Sequence, residues 1–176
     1  MKPNFFHHCV AKKFCANTKQ LQDFSKEIIT LIKPDEKVML LGKMGSGKTT
    51  LVRYLLQLMN YDGAVPSPTF TLVNEYHIAP DKKLFSKNDG GLSGDSDLDD
   101  GLDGEFEKNL TLFHIDLYRL EGEDENIGLD EIFDSKAMVF VEWGERIDWI
   151  RERSTLLIDI TFPSSGEGRE VKIFSR

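Results

Sequence analysis

Residues 37–58 constrain this chain more tightly than any other stretch. Lys37-Val38-Met39-Leu40-Leu41 is a short apolar run of the kind that forms a buried strand, and it stops at a glycine. Gly42-Lys43-Met44-Gly45-Ser46-Gly47-Lys48-Thr49 follows with the spacing G-x-x-x-x-G-K-[ST]. From Thr49 to Leu58, apolar Leu51, Val52, Leu55 and Leu56, with Met59 just beyond, recur at helical spacing and predict a helix with one buried side. Strand, glycine loop and helix in this order make a P-loop. A triphosphate is a dense anion, and holding it requires several donors converging on a small volume. Gly45 and Gly47 let the backbone turn its amides inward, so that they and those of Ser46 and Thr50 cluster at the start of a helix. Lys48 brings a full positive charge to the β and γ phosphates, and the Thr49 hydroxyl suits magnesium, a hard cation that takes oxygen ligands. The predicted ligands are ATP, with GTP as the alternative, and Mg2+.

The remaining elements arrange themselves around that unit. Phe6 to Phe14 reads as an edge strand. Asn17-Thr18 then supplies cap oxygens for a helix whose apolar positions are Leu21, Phe24, Ile28, Leu31 and Ile32, ending at Lys33-Pro34-Asp35. Thr71–His77, Leu110–Leu120, Ala137–Val141, Leu156–Phe162 and Glu170–Phe174 read as further strands, the last two joined around Gly166-Glu167-Gly168. The expectation is an α/β fold: a P-loop NTPase-like central mixed β-sheet flanked by helices, one domain over residues 1–176.

Within that domain, residues 79–109 differ in kind. Glycines 90, 91, 94, 101 and 104 sit among serines and aspartates, a composition that buries too little surface to offset its ordering entropy. This predicts a flexible acidic insertion at a hairpin tip. It also governs the charge. The chain carries 22 Lys and Arg against 30 Asp and Glu, a net charge of -8. Asp89, Asp95, Asp97, Asp99, Asp100, Asp103, Glu105 and Glu107 account for all of it, with no basic residue between them. The body of the protein is therefore close to neutral, which argues against a broad nucleic-acid surface of its own. Asp95-Ser96-Asp97-Leu98-Asp99 has the opening of an EF-hand loop, but Asp100 stands where glycine is needed and Phe106 where glutamate is needed. Cys9 and Cys15, even with His7 and His8, do not have zinc spacing, so reduced thiols are expected. With no apolar run of membrane length and no apolar signal stretch at the start, the expected location is the cytoplasm, without membrane contact.

A P-loop needs an acidic residue at the end of a neighbouring buried strand, facing the magnesium opposite the threonine. Two carboxylates qualify. Glu142 ends the apolar run 137–141, and Asp116 ends Leu112-Phe113-His114-Ile115-Asp116, where strand alternation places His114, Asp116 and Tyr118 on one face. Ser67-Pro68-Thr69 has the makings of a loop that senses the γ phosphate through the Thr69 hydroxyl. His114 reads as a structural histidine and Trp143 as a packing or stacking group.

Taken in order, Gly42–Thr50, Ser67-Pro68-Thr69-Phe70-Thr71-Leu72-Val73, His114-Ile115-Asp116-Leu117-Tyr118-Arg119-Leu120, Gly128-Leu129-Asp130-Glu131 and Val141-Glu142-Trp143 resemble the TsaE (YjeE) family of small bacterial ATPases. The resemblance runs from about Thr18 to about Val171 outside the insertion. It implies an ATPase, weak alone, that serves the threonylcarbamoyladenosine modification of tRNA together with the TsaD and TsaB proteins and reaches tRNA through them. It further implies phosphate binding by Lys48 and the surrounding amides, and magnesium held by Thr49 and Glu142. Asp116 would position the attacking water or the metal shell, and Thr18 and Arg169 would lie near the nucleotide. One departure is Lys43, where the family usually has an acidic residue. The competing reading is a P-loop small-molecule kinase with Arg146, Arg151 and Arg153 as lid arginines. A guanine-specific switch lacks its Asn/Thr-Lys-x-Asp signature.

Overall fold

The computed structural model describes residues 6–79, 110–120, 128–164 and 166–176. Strands β1 (His8–Cys15), β2 (Lys37–Leu41), β3 (Val73–Ile78), β4 (Leu110–Asp116), β5 (Met138–Glu142), β6 (Leu156–Thr161) and β7 (Arg169–Ser175) form one sheet in the order β1-β7-β6-β2-β5-β4-β3. The four central strands β6, β2, β5 and β4 run parallel, and the flanking pairs β1–β7, β7–β6 and β4–β3 are antiparallel. The expected mixed sheet is thus the observed one.

Buried on both faces, β2 and β5 carry the apolar runs 38–41 and 138–141 without polar alternation. On one face Val38, Leu40, Met138 and Phe140 pack with Leu21, Phe24 and Ile28 of α1 (Thr18–Ile28) and Leu51, Val52, Leu55 and Leu56 of α2 (Lys48–Leu58). On the other, Met39, Val139 and Val141 meet Leu129 and Phe133 of α3 (Leu129–Asp134) and Ile150 of α4 (Asp148–Arg153). Asn17 caps α1 as expected, its Oδ1 accepting from Gln20 N at 3.0 Å while Gln20 Oε1 accepts from Ala16 N at 2.8 Å. Among the described residues no helix is long and apolar enough to cross a membrane.

Strand ends elsewhere shift by one or two residues from the sequence expectation, and three boundaries differ for a clear local reason. The first helix gives way to a 3-10 turn at Ile29–Leu31, which carries its apolar stripe onward. Strand β3 starts at Val73 because Leu72 N bonds back to Pro68 O and Leu72 takes φ +66°, closing a turn over 68–72. Strand β4 ends at Asp116, whose own side chain accepts from Tyr118 N at 2.9 Å and bends the chain away. Tyr118 therefore lies beyond the strand, in a turn, and not in β4 with His114 and Asp116. Helices α3 and α4 were not foreseen, being six residues each and too short to display periodicity. Pairing of Ile78 with Leu110 brings both ends of the acidic stretch to one end of the β3–β4 hairpin. The expected flexible tip and the EF-hand-like residues fall in 80–109, outside the described residues.

Candidate functional site: a polyphosphate cradle at the carboxyl end of the parallel strands

Parallel strands point their carboxyl ends to one edge of the sheet, and the site is built there. The glycine loop leaves β2, Glu142 closes β5 and Asp116 closes β4. Register pairs Leu40 with Glu142 and Asp116 with Glu142, which sets the two candidate carboxylates side by side. Gly42 has φ +143°, and a Cβ there would lie 2.4 Å from Ile160 O, so the loop can leave the strand only through glycine. Gly47, at φ +113°, caps α2, whose first N–H groups lack partners within the helix.

Lys48 is 5% exposed. Its ammonium donates to Gly42 O (2.9 Å) and Lys43 O (3.4 Å), lies 3.6 Å from Glu142 Oε2, and stands 4.7 Å over the Trp143 ring. Glu142 Oε1 accepts from Thr49 Oγ1 at 2.7 Å and from His114 Nε2 at 2.9 Å. Burial by itself pushes the Glu142 carboxyl up. The hydrogen bond and charge of His114, the Thr49 hydroxyl and the Lys48 charge outweigh that and hold it below its ordinary value. An ionised Glu142 only accepts, so His114 Nε2 carries the proton; Nδ1 is buried without a partner among the described residues. Fully buried, His114 meets the site through its bond to Glu142.

The Ser67-Pro68-Thr69 loop reaches the same place. Thr69 Oγ1 donates to Asp116 Oδ2 at 2.6 Å and lies 2.8 Å from Ser67 Oγ. Lys48, Thr49, Thr50, Gly45, Gly47, Ser67, Thr69, Asp116, Glu142 and Trp143 line a cavity of about 210 Å³, together with Met44 and Tyr118. On the other side of the loop, Thr18, Thr50, Gly45, Ser46, Gly47 and Arg169 line a second cavity of about 370 Å³ with Cys15, Asn17 and Leu21. The two share Gly45, Gly47 and Thr50. Every residue expected at the nucleotide or its metal therefore lies on one of two adjoining hollows, with His114 directly behind. Lys43 is exposed and contributes only its carbonyl.

The donor set fits a magnesium polyphosphate. Buried Lys48 and the open amides of α2 supply anion donors. Thr49, Glu142, Thr69 and Asp116 offer only oxygens. Among the described residues no three His, Cys, Asp or Glu side chains converge as a metal cage. Magnesium needs none, since it keeps several waters and binds through one or two carboxylates plus phosphate oxygens.

Sequence reasoning missed Tyr118 and Met44 as lining residues. The ring of Tyr118 packs 5.2 Å from that of Trp143, which sits at φ +61°, and the exposed Met44 crowns the loop. Of the arginines a kinase lid would use, Arg151 and Arg153 are held in ion pairs, whereas Arg146 lies 5.6 Å over the rings of Tyr118 and Trp143 at the cavity. Arg151 pairs with Asp148 and Arg153 with Asp134, while Arg146 donates to the carbonyls of Leu117 and Tyr118. Cys9 is exposed and Cys15 buried, at opposite ends of β1.

The family model described as threonylcarbamoyl adenosine biosynthesis protein TsaE matches residues 15–86 and 102–171, passing over part of the acidic stretch. A tRNA threonylcarbamoyladenosine biosynthesis protein TsaE from Bacillus subtilis is 29% identical over 165 residues, covering 88% of this chain and 86% of the relative. One of the same description from Aquifex aeolicus is 33% identical over 124 residues, covering 69% and 68%. In fold, the crystal structure of Bacillus subtilis YdiB aligns over 96% of this chain and 88% of that one, with a TM-score of 0.61 at 24% identity.

Proposed function

The chain belongs to the TsaE family, and on that premise we propose that it is the ATP-binding and hydrolysing subunit of tRNA N6-threonylcarbamoyladenosine biosynthesis, acting in the cytoplasm with TsaD and TsaB. The observation that carries the nucleotide part of this reading is the chain Lys48–Glu142–Thr49 at the glycine loop, with His114 behind it. Four charge and hydrogen-bonding groups are held in place before any phosphate arrives, so little reorganisation accompanies binding.

In this reading the amides at the start of α2 and the Lys48 ammonium bind the phosphates. Lys48 exchanges its bonds to the Gly42 and Lys43 carbonyls for phosphate oxygens. Thr49 and Glu142 hold magnesium, which when bound offsets phosphate charge and polarises the γ-phosphoryl group. Asp116 orients the water that attacks, or the metal's water shell. Its tie to Thr69 makes the 67–69 loop responsive to what occupies the cavity. Trp143 and Tyr118 shield Lys48 from bulk water. Thr18 and Arg169 take the nucleoside end, in the adjoining cavity. The near-neutral body of the chain leaves tRNA to the partner proteins.

Phosphate release from ATP, measured with and without purified TsaD and TsaB, tests the proposal. Stimulation by the partners is the expected result. Absence of stimulation, with phosphorylation of a nucleoside or sugar instead, would replace it with the kinase reading.

A further inference from the structure

The outward side of the glycine loop is held by a residue two strands away. Arg169 opens β7 and donates from Nε to Ser46 O at 2.9 Å, from Nη2 to Gly45 O at 3.2 Å and from Nη1 to Gly168 O at 2.6 Å. All three bonds lie in the guanidinium plane, which leaves its faces for stacking. Phe162 takes one face, its ring centroid 3.9 Å from the Arg169 Cζ. The pairing of Thr161 with Glu170 sets Phe162 opposite Arg169 where the β6–β7 hairpin opens. Phe162 remains 40% exposed, so core packing does not account for an aromatic ring at this position.

The peptide units involved are those that serve the phosphates. The Ser46 carbonyl belongs to the same peptide as the Gly47 N–H, and the Gly45 carbonyl to the same peptide as the Ser46 N–H, which itself donates to Lys43 O at 3.0 Å. A guanidinium clamped on the oxygens fixes the tilt of both peptide planes and so the direction of the Gly47 N–H at the start of α2. It also draws electron density toward the oxygens, which strengthens that N–H as a donor. Arginine 169 reaches the loop because β6 stands between β2 and β7 in the sheet, with Leu41 paired to Asp159.

We propose that Phe162 is a positioning residue for the nucleotide site, acting through Arg169: its ring fixes the guanidinium plane, and the guanidinium orients the Gly45–Gly47 peptides that meet the phosphates. The proposal rests on the nucleotide-binding reading above. Nothing in the resemblance, the family match or the relatives' names assigns Phe162 a role.

The test is a double-mutant cycle read by the affinity for the fluorescent nucleotide mant-ADP with magnesium. Phe162→Leu keeps apolar bulk and removes the π face, and should weaken binding about two- to fivefold, the worth of one partly exposed cation–π contact. Phe162→Trp should restore it. In an Arg169→Ala background Phe162→Leu should change nothing further, and its effect on the melting temperature should be small in both backgrounds. The Gly47 amide resonance of the nucleotide-free, 15N-labelled protein should shift in Phe162→Leu and return in Phe162→Trp. Unchanged affinity in Phe162→Leu, or an equal loss with and without Arg169, would overturn the proposal while leaving nucleotide binding intact. Failure of the unaltered protein to bind mant-ADP would instead remove the nucleotide reading and this inference with it.

Discussion

Replacing Glu142 by Gln probes the centre of the site with the smallest change of shape. In the folded protein Oε1 takes two donors, Thr49 at 2.7 Å and His114 at 2.9 Å, and Oε2 faces the Lys48 ammonium at 3.6 Å. A hydrogen bond to a charged acceptor contributes roughly 1.5–3 kcal/mol against 0.5–1.5 for a neutral one, so each donor gives up about 1 kcal/mol. Lys48 also loses its charge partner, and the amide's lower desolvation cost offsets part of that. The expected destabilisation is about 2 kcal/mol near neutral pH, a fall of about 4–8 °C in Tm for a chain of this size. The sign of the pH dependence follows from the carboxyl being held below its ordinary value of 4.5. Such a group stabilises the fold above the unfolded-state value, and that contribution fades as pH falls through the lower folded-state value. Thermal unfolding of both proteins, followed at about pH 7 and again at about pH 4, should show the full gap at the first and a smaller one at the second. A gap of the same size at both, or a variant more stable than the parent near neutrality, would refute the account of how Glu142 is held.

Three further outcomes follow from the same geometry. Gly42→Ala places a Cβ against Ile160 O at a φ of +143° and should cost at least about 2 kcal/mol in urea unfolding; an unmoved midpoint would show that the strand-to-loop exit tolerates a side chain. Thr69→Val keeps the shape of the loop residue but cuts its bond to Asp116, so stability should change by about 1 kcal/mol or less while partner-stimulated phosphate release falls markedly. Full stimulation in that variant would disconnect the loop from turnover. With ATP at about a hundred times its Kd, ligand binding should stabilise the protein by about 2.7 kcal/mol, and chelating magnesium with EDTA should abolish most of the resulting Tm shift. A shift that survives EDTA would remove the metal from binding.

The unit from Lys37 to Leu58 was legible because its signal is local. An apolar strand, a glycine loop and a helical stripe are consecutive in the chain, and each glycine answers to the turn it makes. Glu142 and Asp116 were legible for a related reason, as carboxylates closing apolar strands, and both proved to stand at the end of a parallel strand beside the loop. Where a side chain bent the backbone, legibility failed. Asp116 captures Tyr118 N, and that one bond ends β4 early, leaving Tyr118 beyond the strand and against Trp143. The helices at 129–134 and 148–153 carry too few residues for a period to emerge.

By itself, then, the sequence determined that strand, glycine loop and helix form one unit and that carboxylates close neighbouring strands, because motif spacing and periodicity are read along the chain and depend on backbone geometry over a few residues. Only the tertiary structure decided what surrounds the glycine loop. The order β6-β2-β5-β4 set Glu142 and Asp116 side by side, Glu142 chose Thr49 and His114 as its partners, and Arg169 came around from β7 to grip the loop with Phe162 at its back. The hydrogen bonds of Glu142 to its partners and of Arg169 to the loop join residues from 28 to 124 positions apart. Their pairing is set by strand order and burial, which no local window of sequence contains.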